Sequence, residues 1–320
     1  MTLRLTVDEQ PWREHVDTIR RSVDGLVPVV KGNGYGFGRR LLVDEVAGWA
    51  AEAAVGTVHE ALHLPAIGAT RWLCLTPSLD VPGDLPDTVV PTVGRSEHAD
   101  ALAAVSWSNF VSVKLATSMH RYGVEPDGLQ PLLAQVLDMG ASVHSFVVHP
   151  PLPDEDRPDA VVADIEAWLP HLHPSVALSV SHLDPEQLVA LRRRHPTRTF
   201  QLRMGTALWH GDKSFLRLTA DVVDIRPVDG GSSAGYRSTP VPADGHLVMI
   251  GAGSSHGVAP LPDGRSPFHF ARHRMSLHEP PHMHTSMAFV PIGEPLPAVG
   301  DHVDVQRPLI TTAVDVVTWR

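Results

Sequence analysis

Lys31 follows a run of apolar residues and precedes a glycine-dense loop, in the segment VVKGNGYGFG (29–38). A lysine at the end of a buried strand is costly to desolvate unless it is neutralised or used, and attack on a carbonyl group is a leading use. Glycines let a backbone approach an anion closely, and the hydroxyl of Tyr35 can donate to a phosphate. The spacing differs from that of a P-loop, in which the lysine follows the glycines. The segment therefore indicates a lysine nucleophile beside an anion-binding loop.

Other residues that can carry chemistry also stand where apolar runs end. They are Lys114, Arg121, His149, Ser181 and Arg203, the last of which opens the segment RMGTALWHG (203–211). Each alone has an ordinary explanation, as a surface cation, a loop histidine or a turn-forming serine. If the runs are strands of one parallel barrel, however, all of these residues face the same mouth. Their convergence favours a functional site.

Eight short, β-branched apolar runs occupy the first two thirds of the chain, at 26–30, 53–57, 71–75, 88–93, 110–115, 142–148, 175–181 and 199–203. Helical patterns separate most of them, for example at 41–54, 96–105, 126–139, 157–169 and 184–194. Apolar strands that alternate with helices indicate a parallel sheet covered by helices. Eight of them within about 200 residues predict an α/β fold with a (β/α)8 TIM barrel over residues 10–215. A doubly wound open sheet is the alternative that periodicity leaves open.

The hydrophobic pattern and composition of the sequence change after about residue 216. Helical periodicity disappears, and Gly and Pro cluster between short apolar runs at 218–225, 246–250, 286–290 and 309–317. This pattern predicts a second, mostly β domain over residues 216–320, which residues 1–9 are able to join.

Charge and composition exclude several classes of partner. The 320 residues include 26 basic and 36 acidic side chains, and the net charge of −10 argues against a nucleic-acid or anionic-membrane surface. No apolar run approaches the roughly 18 residues of a membrane span, and the charged N-terminus resembles no signal peptide. Cys74 is the single cysteine, which excludes a disulfide framework and a thiolate metal cluster. We therefore expect a cytoplasmic protein that binds neither nucleic acid nor membrane.

Several of these segments resemble the alanine racemase family of fold-type III pyridoxal-phosphate enzymes. The lysine segment is similar to the family's cofactor-binding segment, and MHRYG (119–123), RMGTALWHG and AGYRSTPV (234–241) are similar to its Met-x-Arg-x-Gly, Arg-x-Gly-x-Ala-Leu and Ser-Tyr-Gly segments. VGTVHEALHL (55–64) and AVGDHVDV (298–305) resemble further family segments. The matches follow the family order from residue 25 to about residue 306. The lysine segment recurs in several pyridoxal-phosphate barrels, and it becomes much more diagnostic together with Arg203 and Tyr236.

The resemblance implies a two-base racemase. Lys31 would hold pyridoxal 5'-phosphate covalently and act as one base, and Tyr236 would be the base on the opposite face. In a head-to-tail homodimer, Tyr236 would reach the site of the partner subunit. Racemisation removes a proton from one face of a carbon and returns one to the other, so two flanking bases suit it. The implied substrate is a small amino acid, with alanine first.

The resemblance also assigns roles to the remaining residues. Tyr35, Ser181 and the backbone amides near Gly205 and Thr206 would bind the phosphate, although the segment around Ser181 lacks the family's usual Asn-Ser pair. His149 would pack over the pyridine ring, and Arg203 would point at its nitrogen.

Arg121 would bind the cofactor's phenolic oxygen and the substrate carboxylate. Lys114 matches a position at which some relatives carry a carbamylated lysine that orients this arginine.

Part of the sequence departs from the family pattern. The family's small-residue/Met/Asp segment reads Ser276-Leu277-His278 here. The amide of Leu277 would still bind the substrate carboxylate, whereas His278 changes the charge beside it. No tyrosine follows Tyr236, so the family's later phosphate-binding tyrosine has no counterpart here, and we expect weaker cofactor binding.

Two other functions compete with the racemase. The first is a metal-assisted D-amino-acid lyase or dehydratase, and the second is a carrier or regulatory protein that binds the cofactor without turnover. Histidines crowd the stretch 269–284, namely His269, His273, His278, His282 and His284. The metal-dependent enzymes' His-x-Cys or His-x-Asp pair is missing from QRPLITTAVD (306–315), so we expect no metal site. Tyr236 and the second domain favour an enzyme over a carrier.

Overall fold

The computed structural model describes residues 2–64, 70–153, 156–157 and 159–320. The chain divides into two compact units. The barrel unit comprises His15–Gly32 and Arg39–Trp209. The β unit comprises Met1–Glu14, Asn33–Gly38 and His210–Arg320.

Short parallel strands form the centre of the barrel unit. Two elements precede them in the chain: β1 (Leu3–Val7), which belongs to the β unit, and the helix α1 (Glu9–Ser22). The barrel strands are β2 (Leu26–Pro28), β3 (Glu52–Val55), β4 (Arg71–Cys74), β5 (Val89–Val90), β6 (Thr92–Val93), β7 (Phe110–Lys114), β8 (Ser142–Val147), β9 (Ala177–Ser181) and β10 (Phe200–Met204).

These strands close on themselves. One sheet has the order β2-β10-β9-β8-β7-β6, and a second has the order β3-β4-β5. A parallel bridge between Val29 and Ala54 joins β2 to β3. Pro91 separates β5 from β6 because proline has no N–H for the ladder, and the two segments together make one barrel strand. Eight parallel strands therefore form a TIM barrel, which confirms the predicted fold and excludes the open sheet.

Helices follow most of the barrel strands. They are α2 (Arg39–Ala47), α3 (Val58–Leu62), α4 (Ser96–Ala104), α5 (Pro126–Asp138), α6 (Ala160–Glu166), α7 (Pro185–Arg194) and α8 (Thr206–His210). Their apolar faces are buried, as in α5, where Leu129, Leu132 and Val136 point inward. The helix predicted over 41–54 was too long, because α2 ends at Ala47, directly before Gly48.

Antiparallel strands dominate the β unit. They are β11 (Leu216–Val228), β12 (Ser233–Ala234), β13 (Thr239–Pro240), β14 (Gly245–Ile250), β15 (Phe268–Phe270), β16 (His273–Arg274), β17 (Ser276–Leu277), β18 (Ser286–Pro291), β19 (His302–Val305) and β20 (Val316–Trp319). The main sheet has the order β16-β15-β19-β11-β14-β18-β17, and β1 pairs with β11 and β20. Its core includes Leu3, Ile250, Phe268 and Val303. The predicted β-rich second region is confirmed.

One strand predicted in the β unit was wrong. The run 309–317 begins with a 3-10 turn (Leu309–Thr311), and β20 starts only at Val316. The hydroxyls of Thr311 and Thr312 both donate to the carbonyl of Pro308, which gives the backbone a local alternative to a strand.

The loop Asn33–Gly38 belongs to the β unit, although the periodicity places it within the predicted domain 10–215. The Asn33 side-chain amide donates to the carbonyls of Leu309 and Thr312, at 2.7 and 2.8 Å. The compact units therefore differ from the two predicted domains at this loop. The assignment of residues 10–215 to one cofactor-binding domain stays a prediction.

The chain after β7 folds back on the end of that strand. Ala116 N donates to Val124 O, and Val124 N donates to Lys114 O, both at 2.9 Å. Gly123 lies inside this closure with a φ of 150°, and a Cβ there would lie 2.6 Å from the backbone nitrogen of Ala116. Only glycine fits this close approach, which holds the loop that carries Arg121.

We expect Gly123→Ala to lower the free energy of unfolding by at least about 2 kcal/mol, because the new methyl group meets backbone atoms at a strained φ. Gly48→Ala is the matched control, since a Cβ at Gly48 meets no atom within 4 Å. The control should be neutral or stabilising by up to about 1 kcal/mol. Urea unfolding of both variants measures the difference, and equal midpoints would contradict the packing described for Gly123.

Candidate functional site

Charged side chains gather at the carboxyl ends of the barrel strands. Lys114 is the last residue of β7, Ser181 is the last residue of β9, and Arg203 lies near the end of β10. Lys31 and His149 follow β2 and β8 by a few residues. The strand-end placement inferred from the sequence therefore agrees with the structure, and the carboxyl face is the functional face of such barrels.

Hydrogen bonds fix the backbone on both sides of Lys31. The N–H of Gly32 donates to both carboxylate oxygens of Glu60, at 3.1 and 3.2 Å. On the other side, the indole of Trp209 donates to the carbonyl of Val29 at 2.7 Å. The amine of Lys31 therefore projects from an immobilised segment.

Glu60 is a site residue that the sequence reasoning did not single out. Its carboxylate also accepts a hydrogen bond from Gly56 N at 2.8 Å and lies 3.8 Å from Arg39 Nη1. The acid within VGTVHEALHL was the available signal, because this segment resembles a family segment, although the resemblance assigns it no role. Glu60 links the end of β3 to the Lys31 loop.

The amine of Lys31 has a pKa below the ordinary lysine value. Loss of hydration is the largest cause, followed by the positive charges of Arg121 and Arg203, while Glu60 opposes the shift. A lowered pKa increases the fraction of neutral amine near pH 7, and the neutral amine is the nucleophile.

Arg203 is buried and bound by neutral acceptors. Its Nη1 donates to the carbonyl and hydroxyl oxygens of Ser179, at 2.6 and 2.9 Å, and its Nη2 donates to Val148 O at 2.7 Å. Burial lowers the pKa of Arg203 to about 9, so the guanidinium stays charged at neutral pH. Because these acceptors are uncharged, they orient the guanidinium without neutralising it.

His149 is a neutral ring among these cations. Burial, followed by the charges of Lys114 and Arg203, lowers the pKa of His149 to about 2. Its Nδ1 lies 2.6 Å from Ser181 Oγ, and its ring centroid lies 4.6 Å from that of His182. The phosphate-binding role expected for Ser181 stays a prediction. A ring that is neutral at every physiological pH offers a flat, uncharged surface in the mouth.

Lys114 is 4 % exposed, and its pKa is well below the ordinary value. Burial is the main cause, and the charges of Arg203, Arg121 and Lys31 add to it. Within the described residues, no carboxylate forms an ion pair with Lys114. A buried lysine in this setting has a strong tendency to be neutral.

Tyr122 is a second residue that the sequence reasoning missed. Its ring centroid lies 4.7 Å from Arg121 Cζ and 5.9 Å from Lys114 Nζ, which are cation–π distances. The tyrosine hydroxyl lies 3.5 Å from Thr76 Oγ1. Tyr122 occupies the open position of Met-x-Arg-x-Gly, so only its rarity in the chain could have drawn notice. The ring gives the exposed Arg121 a fixed contact.

The other predicted site residues divide between the two units. Gly205 and Thr206 lie at the start of α8 in the barrel unit, where Gly205 O accepts from Trp209 N at 3.0 Å. Tyr35 is buried in the β unit, has a φ of 56°, and its carbonyl accepts from His210 Nε2 at 2.7 Å. Tyr236 lies in the turn between β12 and β13 of the β unit and is 87 % exposed.

Leu277 and His278 lie at the edge of the β unit's main sheet. His278 N donates to Met287 O, and Leu277 lies opposite Ala288 on β18. Because hydrogen-bonded and non-hydrogen-bonded pairs alternate in antiparallel strands, the amide of Leu277 points away from β18, toward the open edge. His278 is 8 % exposed, and its Nε2 donates to Ala234 O at 3.2 Å. The substrate-binding roles of both residues stay predictions.

The His-rich stretch 269–284 gives no metal site in the described part of the chain. No group of three or more His, Cys, Asp or Glu residues within the ranges described above could hold a metal ion. Three of the histidines have other partners: His273 contacts Glu294, His282 contacts Glu279, and His284 contacts Ser255. Across the described helices, none is long and apolar enough to cross a membrane.

The charges of the mouth fit an anionic carbonyl compound. The positive charges of Arg121 and Arg203 lower the pKa values of both Lys31 and Lys114, and the carboxylate of Glu60 opposes this shift at Lys31. An anionic aldehyde that carries a phosphate and a phenolic oxygen would offset this positive charge and react with a neutral lysine amine. The residues present therefore suit pyridoxal 5'-phosphate.

Comparisons with known proteins agree on one family. The sequence model for "Alanine racemase, N-terminal domain" matches residues 7–208. The alanine racemase of Mycobacterium tuberculosis is 28 % identical over 262 residues, which cover 73 % of this chain and 67 % of that protein. The alanine racemase of Corynebacterium efficiens is 25 % identical over 283 residues, which cover 81 % of this chain and 76 % of that protein.

Solved structures show the same fold. The alanine racemase from Bartonella henselae, described with covalently bound pyridoxal phosphate, superposes with a TM-score of 0.73 at 17 % identity and covers 100 % of both chains. The alanine racemase from E. faecalis has a TM-score of 0.72 at 18 % identity, covering 100 % of this chain and 98 % of that one. At these identities the likeness shows the architecture of a TIM barrel with a β-rich second domain.

Hydroxylamine first removes any bound aldehyde from the protein. We then expect the pH dependence of Lys31 acetylation to have its midpoint below the usual lysine pKa of about 10.4. The lowered pKa leaves more neutral amine at each pH below the midpoint. In Arg121→Gln the midpoint should rise, because one neighbouring positive charge is removed. Competitive labelling with peptide mass spectrometry follows each lysine separately. An unchanged midpoint in the variant would show that Arg121 does not act on Lys31.

Proposed function

The chain belongs to the alanine racemase family, and from that premise we propose that it is a pyridoxal 5'-phosphate-dependent racemase. It interconverts the L- and D-forms of a small amino acid, with alanine as the foremost substrate. The observation that carries the proposal is Lys31, an immobilised lysine of lowered pKa at a barrel mouth rich in positive charge.

The cofactor would be held mainly by the barrel unit. Lys31 would bind it covalently through Nζ, and the cofactor when bound supplies an electron sink for the substrate's α-carbon. Arg203 keeps its guanidinium charged and oriented by strand carbonyls, which suits its predicted place at the pyridine nitrogen. The neutral ring of His149 suits a position over the pyridine ring.

The phosphate would bind at the ends of β9 and β10. Ser181 ends β9, and the amides of Gly205 and Thr206 follow β10, so their chain positions support this role. Tyr35 would donate its hydroxyl from the glycine-dense loop.

The substrate carboxylate would be bound by Arg121 and the amide of Leu277. The guanidinium of Arg121 is exposed and lies against the ring of Tyr122, so it is available and yet restrained. The amide of Leu277 points toward an open sheet edge. His278 would add a polar group beside the carboxylate.

Lys114 would be carbamylated. Carbon dioxide adds to a neutral amine, and the carbamate that forms releases a proton and carries a negative charge. The lowered pKa of Lys114 favours the neutral amine, and the nearby Arg121 and Arg203 would stabilise the product's charge. A negative group here would orient Arg121.

Two bases on opposite faces of the substrate would move the proton. Lys31 Nζ would take or return the α-proton on one face, and Tyr236 Oη would do so on the other. Tyr236 is 87 % exposed in one protomer, which suits a residue that completes the site of a partner subunit in a head-to-tail homodimer.

Incubating the purified protein with single L-amino acids and scoring the D-isomer tests the reaction. Borohydride reduction and peptide mapping should place the pyridoxyl label on Lys31. A label on Lys213, which lies in the β unit, would contradict the assignment of the cofactor-binding lysine. Labelling of Lys31 without turnover of L- or D-amino acids would favour the non-catalytic carrier. Breakdown of a D-amino acid with release of an aldehyde or of ammonia would favour the lyase or the dehydratase.

We expect Tyr236→Phe to abolish racemisation while leaving cofactor binding to Lys31 intact, because the phenol is a base and not a cofactor anchor. Loss of a positioned base costs about 10²–10⁴-fold. Exchange of the α-proton with deuterated solvent should persist for one enantiomer only, the one whose proton faces Lys31. Deuterium incorporation into each enantiomer, in wild type and variant, is the measurement. Racemisation within about threefold of wild type would remove Tyr236 as the second base.

A further inference from the structure

The turn that carries Tyr236 projects into solvent. It joins β12 to β13, a two-stranded ribbon in which Ser233 pairs with Pro240 and Ala234 pairs with Thr239. An isolated pair of strands of this length has little stability of its own. A side chain at its tip therefore needs contacts from elsewhere in the β unit to hold one position.

Glu279 provides the main contact. It is 5 % exposed, and it lies 43 residues after Tyr236 in the sequence. One of its oxygens accepts from the N–H of Tyr236 at 3.0 Å, and the other accepts from the N–H of Arg237 at 3.2 Å. Backbone N–H groups that donate to a carboxylate form hydrogen bonds about twice as strong as neutral ones. Glu279 therefore fixes the backbone from which the phenol extends.

Gly235 shows how closely the carboxylate and the turn are packed. A Cβ at this position would lie 2.3 Å from Glu279 Oε1, and Gly235 has a φ of 83°. A larger residue would displace Glu279 and would be strained in this conformation. The small residue before Tyr236 is thus part of the same contact.

The ring of Tyr236 is held through a second residue. His282 Nε2 contacts Glu279 Oε1, and the His282 ring centroid lies 4.3 Å from that of Tyr236. Glu279 thus contacts the backbone of Tyr236 directly and its ring through His282. His278, the residue before Glu279, donates to Ala234 O and holds the start of the turn.

We propose that Glu279 is a positioning residue that sets the placement of the Tyr236 phenol, by binding the turn's backbone and by orienting His282 against the ring. The inference rests on the proposed function, since it takes Tyr236 as the second base. It also explains what the segment after β17 does in this chain, where the family's acid is replaced by His278. His278 binds the carbonyl of Ala234 at the start of the Tyr236 turn, and Glu279 binds the amides of Tyr236 and Arg237 within it.

The test compares Glu279→Ala, Glu279→Gln and His282→Leu in the cofactor-loaded enzyme. Glu279→Ala should lower kcat about 100-fold with little change in KM, because a displaced catalytic group can lose this much rate. Glu279→Gln keeps an oxygen acceptor and should recover part of the loss. His282→Leu retains the backbone hydrogen bonds and should lose less than Glu279→Ala. The absorbance of the bound cofactor and the urea midpoint control for folding.

Face-specific proton exchange separates positioning from general destabilisation. In Glu279→Ala, solvent exchange should fall for the enantiomer served by Tyr236 and persist for the one served by Lys31. The double variant with Tyr236→Phe should be no slower than Tyr236→Phe alone, since both changes act through one group. Equal losses on both faces, or additive losses in the double variant, would overturn the inference.

The same experiments distinguish the inference from the function on which it rests. If Tyr236→Phe racemises like wild type, the proposed second base fails. If Tyr236→Phe is inactive while Glu279→Ala retains wild-type kcat, the base stands and the positioning role of Glu279 is overturned.

Discussion

The carboxyl end of the barrel concentrates positive charge that the described residues offset only partly. Burial lowers the pKa values of Lys31, Lys114 and Arg203, and neighbouring cations lower those of the two lysines further. Holding cations together out of water costs free energy unless an anion joins them. The strand ends nevertheless fix these residues in place. The arrangement therefore suits an anionic ligand, and it increases the neutral fraction of the Lys31 amine.

The hydrogen-bond acceptors of Arg203 are uncharged, and they therefore also preserve the positive charge of the barrel mouth. A carboxylate partner would orient the guanidinium and also neutralise it. The carbonyls of Ser179 and Val148 orient it while leaving its charge to act on the ligand and on Lys31. Glu60, the acid nearby, uses both oxygens on the amides of Gly32 and Gly56. The carboxylate of Glu60 thus holds backbone amides in place, and no ion pair within the described residues neutralises the positive charge of Arg203.

The sequence was informative where local pattern and topology determine the outcome. The apolar runs predicted eight barrel strands, and barrel geometry then predicted that residues such as Lys114 and Arg203 share one mouth. Glu60 and Glu279 escaped notice because each binds mainly backbone amides, which leave no residue-type signal. Tyr122 likewise acts through packing at a position that the motif leaves open. The strand predicted over 309–317 was wrong at its start because the hydroxyls of Thr311 and Thr312 bind the carbonyl of Pro308 and favour a turn. The alternation of apolar residues does not reveal this competition.

The two proposed bases differ in how the chain can control them. Lys31 extends from a barrel loop that Glu60 and Trp209 immobilise within the barrel unit. Tyr236 extends from a short exposed turn, so its control must come from side chains that bind the turn itself. A phenol acts as a base near neutral pH only when cations lie close to it, and the cations of this chain gather at the barrel mouth. A head-to-tail homodimer would meet that need by bringing Tyr236 to a partner's mouth. The contacts of Glu279 would then decide whether the phenol arrives in a usable position.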